Sequence, residues 1–248
     1  MAARSKYPTL ILCLALIGAA PPLNAAPSDE KSSKKHKGRV HNTPDIEITP
    51  SGRWHVSEEL NFYAGQGSSN TTLDYGLPWG VNAGFSVLNA GFYSAAPATL
   101  WIEPDALFNL EKHWGLADGW ELIAGTQTGA AFHHTGLTRL LDFTYVDSQW
   151  VHPSWGTELH LGGYYANAAM AGRRRDAFGW HANLEVPLIA DRLVLEGDYL
   201  SGRNNVGGST VKLSYSPTRH WTMSFGVQVP AARSGNDYSG LFGVYWNN

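Results

Sequence analysis

Ionisable residues recur at strand spacing in this chain. Glu158 and His160 lie two apart, as do Glu196 and Asp198, and His181 lies four before Glu185. In an extended strand, residues two or four apart share one face. A ring of carboxylates in a narrow, low-dielectric passage favours cations. Twelve residues fall on such polar faces: Glu59, Glu111, Glu121, Asp142, Glu158, His160, His181, Glu185, Arg192, Glu196, Asp198 and Lys212. Only Arg192 and Lys212 among them are strongly basic, so the expected chemistry is attraction of cations or polar small solutes. The competing expectation is that Arg192, Lys212, His160 and His181 bridge the carboxylates and fill the space between them.

Other reactive types are thinner. His133-His134 is the single adjacent histidine pair, and neighbours on a strand point to opposite faces, so no metal site is expected from it. A hydrolytic nucleophile needs its base within hydrogen-bond reach. Ser148 falls near the opposite end of its strand from His133-His134, Ser94 is nearer but unfixed, and there is no G-x-S-x-G motif. No catalytic residue and no cofactor are therefore expected. Arg173-Arg174-Arg175 is the densest charge outside the N-terminus. Guanidinium groups match phosphate geometry, so this run offers an outer-loop anion contact for lipopolysaccharide phosphates or an anionic solute, beside the plainer and leading reading of a solvated loop tip.

The elements that carry these residues alternate apolar with polar or glycine. Trp221, Met223, Phe225, Val227 and Val229 share one face, and Thr222, Ser224, Gly226 and Gln228 the other. The pattern predicts strands at 54–64, 70–77, 79–90, 103–114, 119–131, 139–150, 155–168, 177–188, 192–201, 207–216, 220–230 and 238–246. Short connections follow every even strand. Longer ones, near 65–70, 91–102, 132–138, 169–176, 202–206 and 231–237, follow the odd strands. An even number of strands with short turns on one rim and long loops on the other predicts an all-β fold, a transmembrane antiparallel up-and-down barrel of about twelve strands. Trp79, Trp114, Trp120, Trp155, Trp221 and Trp246 fall beside the short-turn rim, where an amphipathic ring suits a membrane–water boundary. A soluble sandwich or lipocalin-like barrel would turn the apolar face inward, and periodicity does not separate the two. The uncharged face of Phe178, Trp180, Leu184 and Val186 favours acyl chains.

Arg4 and Lys6 precede an apolar run from Thr9 to Ala20, and Leu23-Asn24-Ala25 supplies a small residue for cleavage. Residues 1–25 thus read as a secretory signal. Residues 26–51, rich in Lys and Ser, read as a basic disordered periplasmic linker, and 52–248 as the barrel. The single cysteine, Cys13, lies in the signal, so the barrel uses no disulfide. Without Arg4 and Lys6 the 18 basic residues become 16 against 21 acidic ones, a charge of −5 that gives no reason to expect nucleic acid. The expected location is the outer membrane of a Gram-negative bacterium with both ends periplasmic. The expected partners are outer-membrane lipid and lipopolysaccharide, a small-molecule solute and the barrel-assembly machinery.

Two stretches carry a resemblance. Leu73-Asp74-Tyr75-Gly76-Leu77-Pro78-Trp79-Gly80-Val81 and Leu193-Val194-Leu195-Glu196-Gly197-Asp198-Tyr199-Leu200-Ser201-Gly202, with Asn204-Asn205 after it, resemble hairpins of proteobacterial outer-membrane barrels. The nearest group is the broad family labelled for the meta-pathway of phenol degradation. The resemblance covers most of 54–246 and implies a barrel and transport of small organic molecules, with no functional residues to carry over. It keeps a hydrophobic or aromatic solute open beside the polar channel, with Gly162-Gly163 and Gly207-Gly208 as places for a kink. A plugged structural or adhesive barrel and, more remotely, a lipid hydrolase complete the alternatives. Barrels of this kind end in an aromatic residue, whereas here Asn247-Asn248 follow Tyr245-Trp246 and displace the assembly signal.

Overall fold

The computed structural model describes residues 49–94, 104–132, 139–172, 175–190, 192–234 and 236–248. Twelve strands form one closed antiparallel barrel, each paired with its neighbours in sequence and β1 with β12. They are β1 (Trp54–Tyr63), β2 (Gln66–Leu77), β3 (Val81–Ser94), β4 (Asp105–Ala117), β5 (Trp120–Ala131), β6 (Arg139–Val151), β7 (Glu158–Ala166), β8 (Phe178–Ile189), β9 (Leu193–Leu200), β10 (Gly208–Thr218), β11 (Trp221–Pro230) and β12 (Ser239–Asn247). A four-residue helix, α1 (Ala168–Ala171), sits between β7 and β8 and is capped by Asn167, whose side chain accepts from the Met170 amide. No helix among the described residues is long and apolar enough to cross a membrane.

Closure depends on the seam. His55 to Phe62 of β1 pair with Asn247 to Gly240 of β12 without a break. The two terminal asparagines extend that seam. The Trp54 amide donates to Asn248 Oδ1 at 2.8 Å, and His55 Nδ1 lies 2.7 Å from Asn247 Oδ1. The residues that displace the terminal aromatic thus hold the two ends of the sheet together. The ladder is also continuous across Gly162-Gly163, which pair with Asp147 and Val146 on one side and with His181 and Trp180 on the other. No kink opens the wall there.

The wall is apolar outside. Phe85, Phe108, Leu161, Phe178, Trp180, Phe225 and Val227 are all exposed on it. Trp79, Trp114, Trp120, Trp155 and Trp221 are exposed at or beside the short turns, while Trp246 is half-buried. Lys112 joins this belt: its Nζ donates to the Trp79 carbonyl and lies 5.6 Å from the Trp114 ring centroid. A cation held over an indole beside a rim is a snorkelling arrangement.

Local chemistry explains the departures from the expected strands. The connection expected at 65–70 is instead the tight turn Ala64-Gly65, with Gly65 at φ 86°, and β2 begins at Gln66. At the β2–β3 pair the register slips between Ser69 and Thr71, opposite Asn89 at φ 59°. The Asn89 amide there donates to Asn70 Oδ1 at 2.8 Å in place of a ladder bond. Slips between Pro187 and Ile189 and between Tyr215 and Thr218 flank Pro187 and Pro217, which have no N–H to give. The signal expected at 1–25 lies outside the described residues, as do 26–48 of the linker. Thr49 to Ser51, assigned by sequence to that linker, lie against β2: Thr49 is buried, and Ser51 bridges Gly76.

Two glycines face inward because aromatic rings lie on them. A Cβ on Gly125 would stand 2.4 Å from the Tyr145 ring, and one on Gly179 2.5 Å from the Tyr164 ring. Gly125→Val and Gly179→Val should each lower the stability of the folded barrel by about 1–3 kcal/mol through overpacking. Urea titration of the refolded protein, followed by the gel shift between folded and heat-denatured bands, checks this.

Candidate functional site

The inward face divides into an acidic chamber and an apolar block. The chamber is a cavity of about 190 Å³, lined from Thr49, His55 and Asn247 near the short-turn rim up to Asn70, Leu88, Thr210 and Leu241. That volume is many times the ~10–15 Å³ needed to hold one water. Carboxylates of Glu59, Asp74, Glu111, Glu158, Glu185, Glu196 and Asp198 line it, and Lys212 is the one lysine or arginine among its described lining residues.

Strand register explains the densest part. Glu158 of β7 lies opposite Glu185 of β8, and Glu185 opposite Glu196 of β9. Three carboxylates therefore stand side by side on neighbouring strands, an arrangement that like-charge repulsion disfavours. The arc ends at Lys212 of β10, opposite Glu196, with Nζ 3.0 Å from Glu196 Oε2. Ser214 also donates to Glu196, and Gln149 Nε2 donates to Glu158 at 2.8 Å. Glu59 accepts from the phenol of Tyr245 on β12 at 3.3 Å, while its Oε1 is buried with no hydrogen-bond partner among the described residues.

A second cluster adjoins the arc across β4, β6 and β7, where His160 Nε2 lies 3.8 Å from Glu158 Oε2. Glu111 accepts from Tyr145, lies 2.6 Å from His113 Nε2, and takes Asn82 Nδ2 at 3.3 Å. His113 Nδ1 is 3.3 Å from Glu121. Beside it, His160 Nδ1 is 3.0 Å from Asp147 Oδ2. His181 is buried, and neither of its ring nitrogens has a hydrogen-bond partner among the described residues. Among the described residues no three histidine, cysteine or acidic side chains are disposed to hold a metal ion.

The apolar block fills the long-loop half against β4 to β9. Leu107, Leu141, Phe143, Tyr164 and Leu200 point inward there and pack with Met170 of α1 and with Val206. Phe143 stacks on Tyr164 with centroids 5.2 Å apart. Asn204, fully buried, ties the β9–β10 loop over this block. It donates to Tyr164 Oη at 3.0 Å and to the Asp176 carbonyl at 2.8 Å, and accepts from the Val206 and Gly207 amides. The Arg203 amide donates to Asp176 Oδ2 at 2.9 Å, which holds that loop carboxyl below the usual aspartate range.

Of the sequence-named residues, Glu59, Glu111, Glu158, His160, Glu185, Glu196, Asp198 and Lys212 stand around the chamber. Glu121 faces in opposite Gln149, and His181 opposite Gly162. Two do not line the lumen. Asp142 lies on the outer wall, because the inward positions of β6 are Leu141, Phe143, Tyr145 and Asp147, all buried. Arg192 is exposed in the turn between β8 and β9, one residue short of the strand. Arg173 and Arg174 lie outside the described residues, while Arg175 is exposed and donates to the Arg233 carbonyl. His133 and His134 are likewise outside them. Ser148 is on the outer wall between Leu122 and Leu161.

The sequence reading missed His113, Tyr145 and Asp147. His113 was detectable, two residues beyond Glu111. Tyr145 and Asp147 were hidden because an inward Asp142 turns the odd positions of β6 outward.

The fold and site define a closed twelve-stranded barrel with an apolar exterior and an acidic chamber in one half of its lumen. In fold it is similar to the NanC porin, with TM-score 0.54 and 14% identity over 78% of this chain and 98% of that one. It is similar also to the KdgM porin in complex with disordered oligogalacturonate, with TM-score 0.55 and 11% identity over 77% of this chain and 98% of that one. The Salmonella typhi outer membrane phospholipase (OMPLA) dimer with bound calcium aligns at TM-score 0.49 and 12% identity, over 84% of this chain and 94% of that one. At these identities the likeness is one of fold. No protein-family model matches the chain, and neither does any curated protein.

Removing the Asn204 amide should release the cap on the apolar block. Asn204→Ala should cost about 1–3 kcal/mol locally, since it leaves buried amides unsatisfied. Hydrogen exchange checks this: amides of 204–207 should exchange faster while those of β1 and β12 stay protected.

Proposed function

We propose that this chain is an outer-membrane barrel that takes small cationic or polar solutes into an acidic lumen, as a weakly conducting passive channel. The observation that carries the reading is the Glu158–Glu185–Glu196 arc, three carboxylates abreast in a chamber with a single lysine. A wall built for stability alone has no use for like charges on adjacent strands. In a narrow passage bounded by a low-dielectric wall, the same charges raise the local concentration of cations and repel anions. Buried polar atoms without partners among the described residues, such as Glu59 Oε1 and the two ring nitrogens of His181, support a hydrated lumen.

The apolar block limits flux. Leu141, Phe143 and Met170 fill the long-loop half, so passage would run past them along the β10–β2 side, where Asn61, Thr210, Gln228 and Ser239 are polar. Transport in place of catalysis fits Ser148, whose neighbours across the wall are leucines. An acidic lumen also favours a polar cation over a hydrophobic solute.

In planar bilayers the purified protein should conduct weakly and prefer potassium to chloride. Glu185→Gln should reduce the cation-to-anion permeability ratio, read as a reversal potential closer to zero in a salt gradient. Phe143→Ala should raise conductance while leaving the sign of selectivity unchanged. A folded barrel with anion preference, or selectivity indifferent to Glu185, would sink the cation reading.

A further inference from the structure

The outer wall carries a polar island that the lumen does not explain. On the outward face of β6, Asp142 and Thr144 stand between Leu140 and Val146, which are 70% and 51% exposed. On the paired strand β5, Thr128 lies opposite Asp142, and Thr126 opposite Thr144. Thr126 and Thr144 both donate toward Asp142 Oδ1, at 3.4 and 3.3 Å, and their hydroxyls are 3.1 Å apart. Thr128 is turned to the Leu141 carbonyl at 3.2 Å. These contacts are long and fall on one carboxylate oxygen. A carboxylate offers about four acceptor sites and no donor. No lysine, arginine or histidine among the described residues forms an ion pair with Asp142.

Depth narrows what could meet it. Asp142 lies three residues inside β6 from Arg139. That is roughly 10 Å along the strand and roughly 7 Å below the rim at the usual barrel tilt. A lipid presents its acyl linkages at about that depth. Ester-linked chains offer only acceptor oxygens there, which cannot satisfy a carboxylate. Amide-linked or hydroxylated chains offer N–H and O–H donors, and their carbonyls can accept from the threonine hydroxyls. An ionisable side chain in a lipid-facing wall is a candidate site by default because its burial without a partner is costly.

We propose that Asp142, with Thr126 and Thr144, binds the linkage region of a lipid whose acyl chains are amide-linked or hydroxylated, Asp142 accepting and the threonines donating. This rests on the membrane reading above, because it requires the wall to face lipid. It is independent of whether the lumen conducts.

Sphingomyelin and phosphatidylcholine serve as a probe pair. They share a phosphocholine headgroup, and at the linkage only sphingomyelin has N–H and O–H donors. The full chain would be reconstituted into liposomes of the two lipids mixed, and lipid retained after detergent extraction measured by native mass spectrometry. Wild type should retain sphingomyelin over phosphatidylcholine by roughly tenfold, the worth of one hydrogen bond to a charged acceptor. Asp142→Leu should abolish the preference and Thr144→Val should reduce it, with both variants showing the folded gel band. Asp142→Asn, which keeps shape and polarity but loses the charge, should retain only part of it and carries the test where another variant misfolds. Equal retention of the two lipids by wild type, or an unchanged preference in Asp142→Leu or Asp142→Asn, overturns the site. So does stronger retention of phosphatidylethanolamine, whose donor sits in the headgroup, or a lipid-free dimer lost on Asp142→Leu. Failure of the wild-type chain to float with liposomes would overturn the membrane reading and this inference together. Floating with equal retention overturns the lipid site alone.

Discussion

The structure depends on closing a hydrogen-bonded ladder on itself. In a hydrocarbon layer each unpaired backbone N–H or C=O costs several kcal/mol, so a sheet survives there only without edges. The seam between β1 and β12 is where that condition is met. Its continuous register and the Asn247 and Asn248 contacts to His55 and Trp54 remove the last two edges. Once the ring is closed, strand alternation assigns every side chain to the inside or the outside. The aromatic belt, the acidic arc and the apolar block are all consequences of that assignment.

Closure also sets what the interior can be. Small barrels of about eight strands are filled by their own side chains, and porins of sixteen or more hold a water channel. With twelve strands this barrel is filled in one half and leaves a chamber in the other. Near the short turns, carboxylates and amides leave a chamber. Near the long loops, leucines, Phe143 and Tyr164 meet Met170 and Val206, and Asn204 locks the loop above them. The filled half stabilises the barrel, as a soluble core would. The other half keeps charges that repel one another, so apolar packing and charge are divided along the barrel axis.

Strand number, order and most boundaries were legible in the sequence because alternation and turn residues are local signals. The span expected at 139–150 is Arg139–Val151, and that at 220–230 is Trp221–Pro230. Less local features were harder to read. The turn at Ala64-Gly65 was lost because the polar residues 66–70 of β2 resemble a loop, although they pair fully with β1. Arg192 was placed one residue too far into its strand. The chamber residues were recoverable wherever a strand has one plainly polar face, as in β8 with His181, Asn183 and Glu185.

β6 shows why polarity alone is an incomplete guide to facing. Its odd positions carry Leu141, Phe143, Tyr145 and Asp147, and its even positions Leu140, Asp142, Thr144 and Val146. Both faces are mixed, so a rule that sends apolar residues toward lipid places Asp142 in the lumen. Two glycine hollows argue for the opposite facing. Tyr145 lies on Gly125 across the β5–β6 pair, and Gly162 of β7, by lacking a Cβ, makes room for Asp147 of β6 and His181 of β8. A ring seated on an inward glycine cannot turn outward without leaving a void, so the strand keeps its aromatics inside. The same parity then fixes Asp142 and Thr144 on the outer side. One choice of facing therefore yields both the seal within the barrel and the polar island on its wall, and a one-residue slip of β6 would destroy both together.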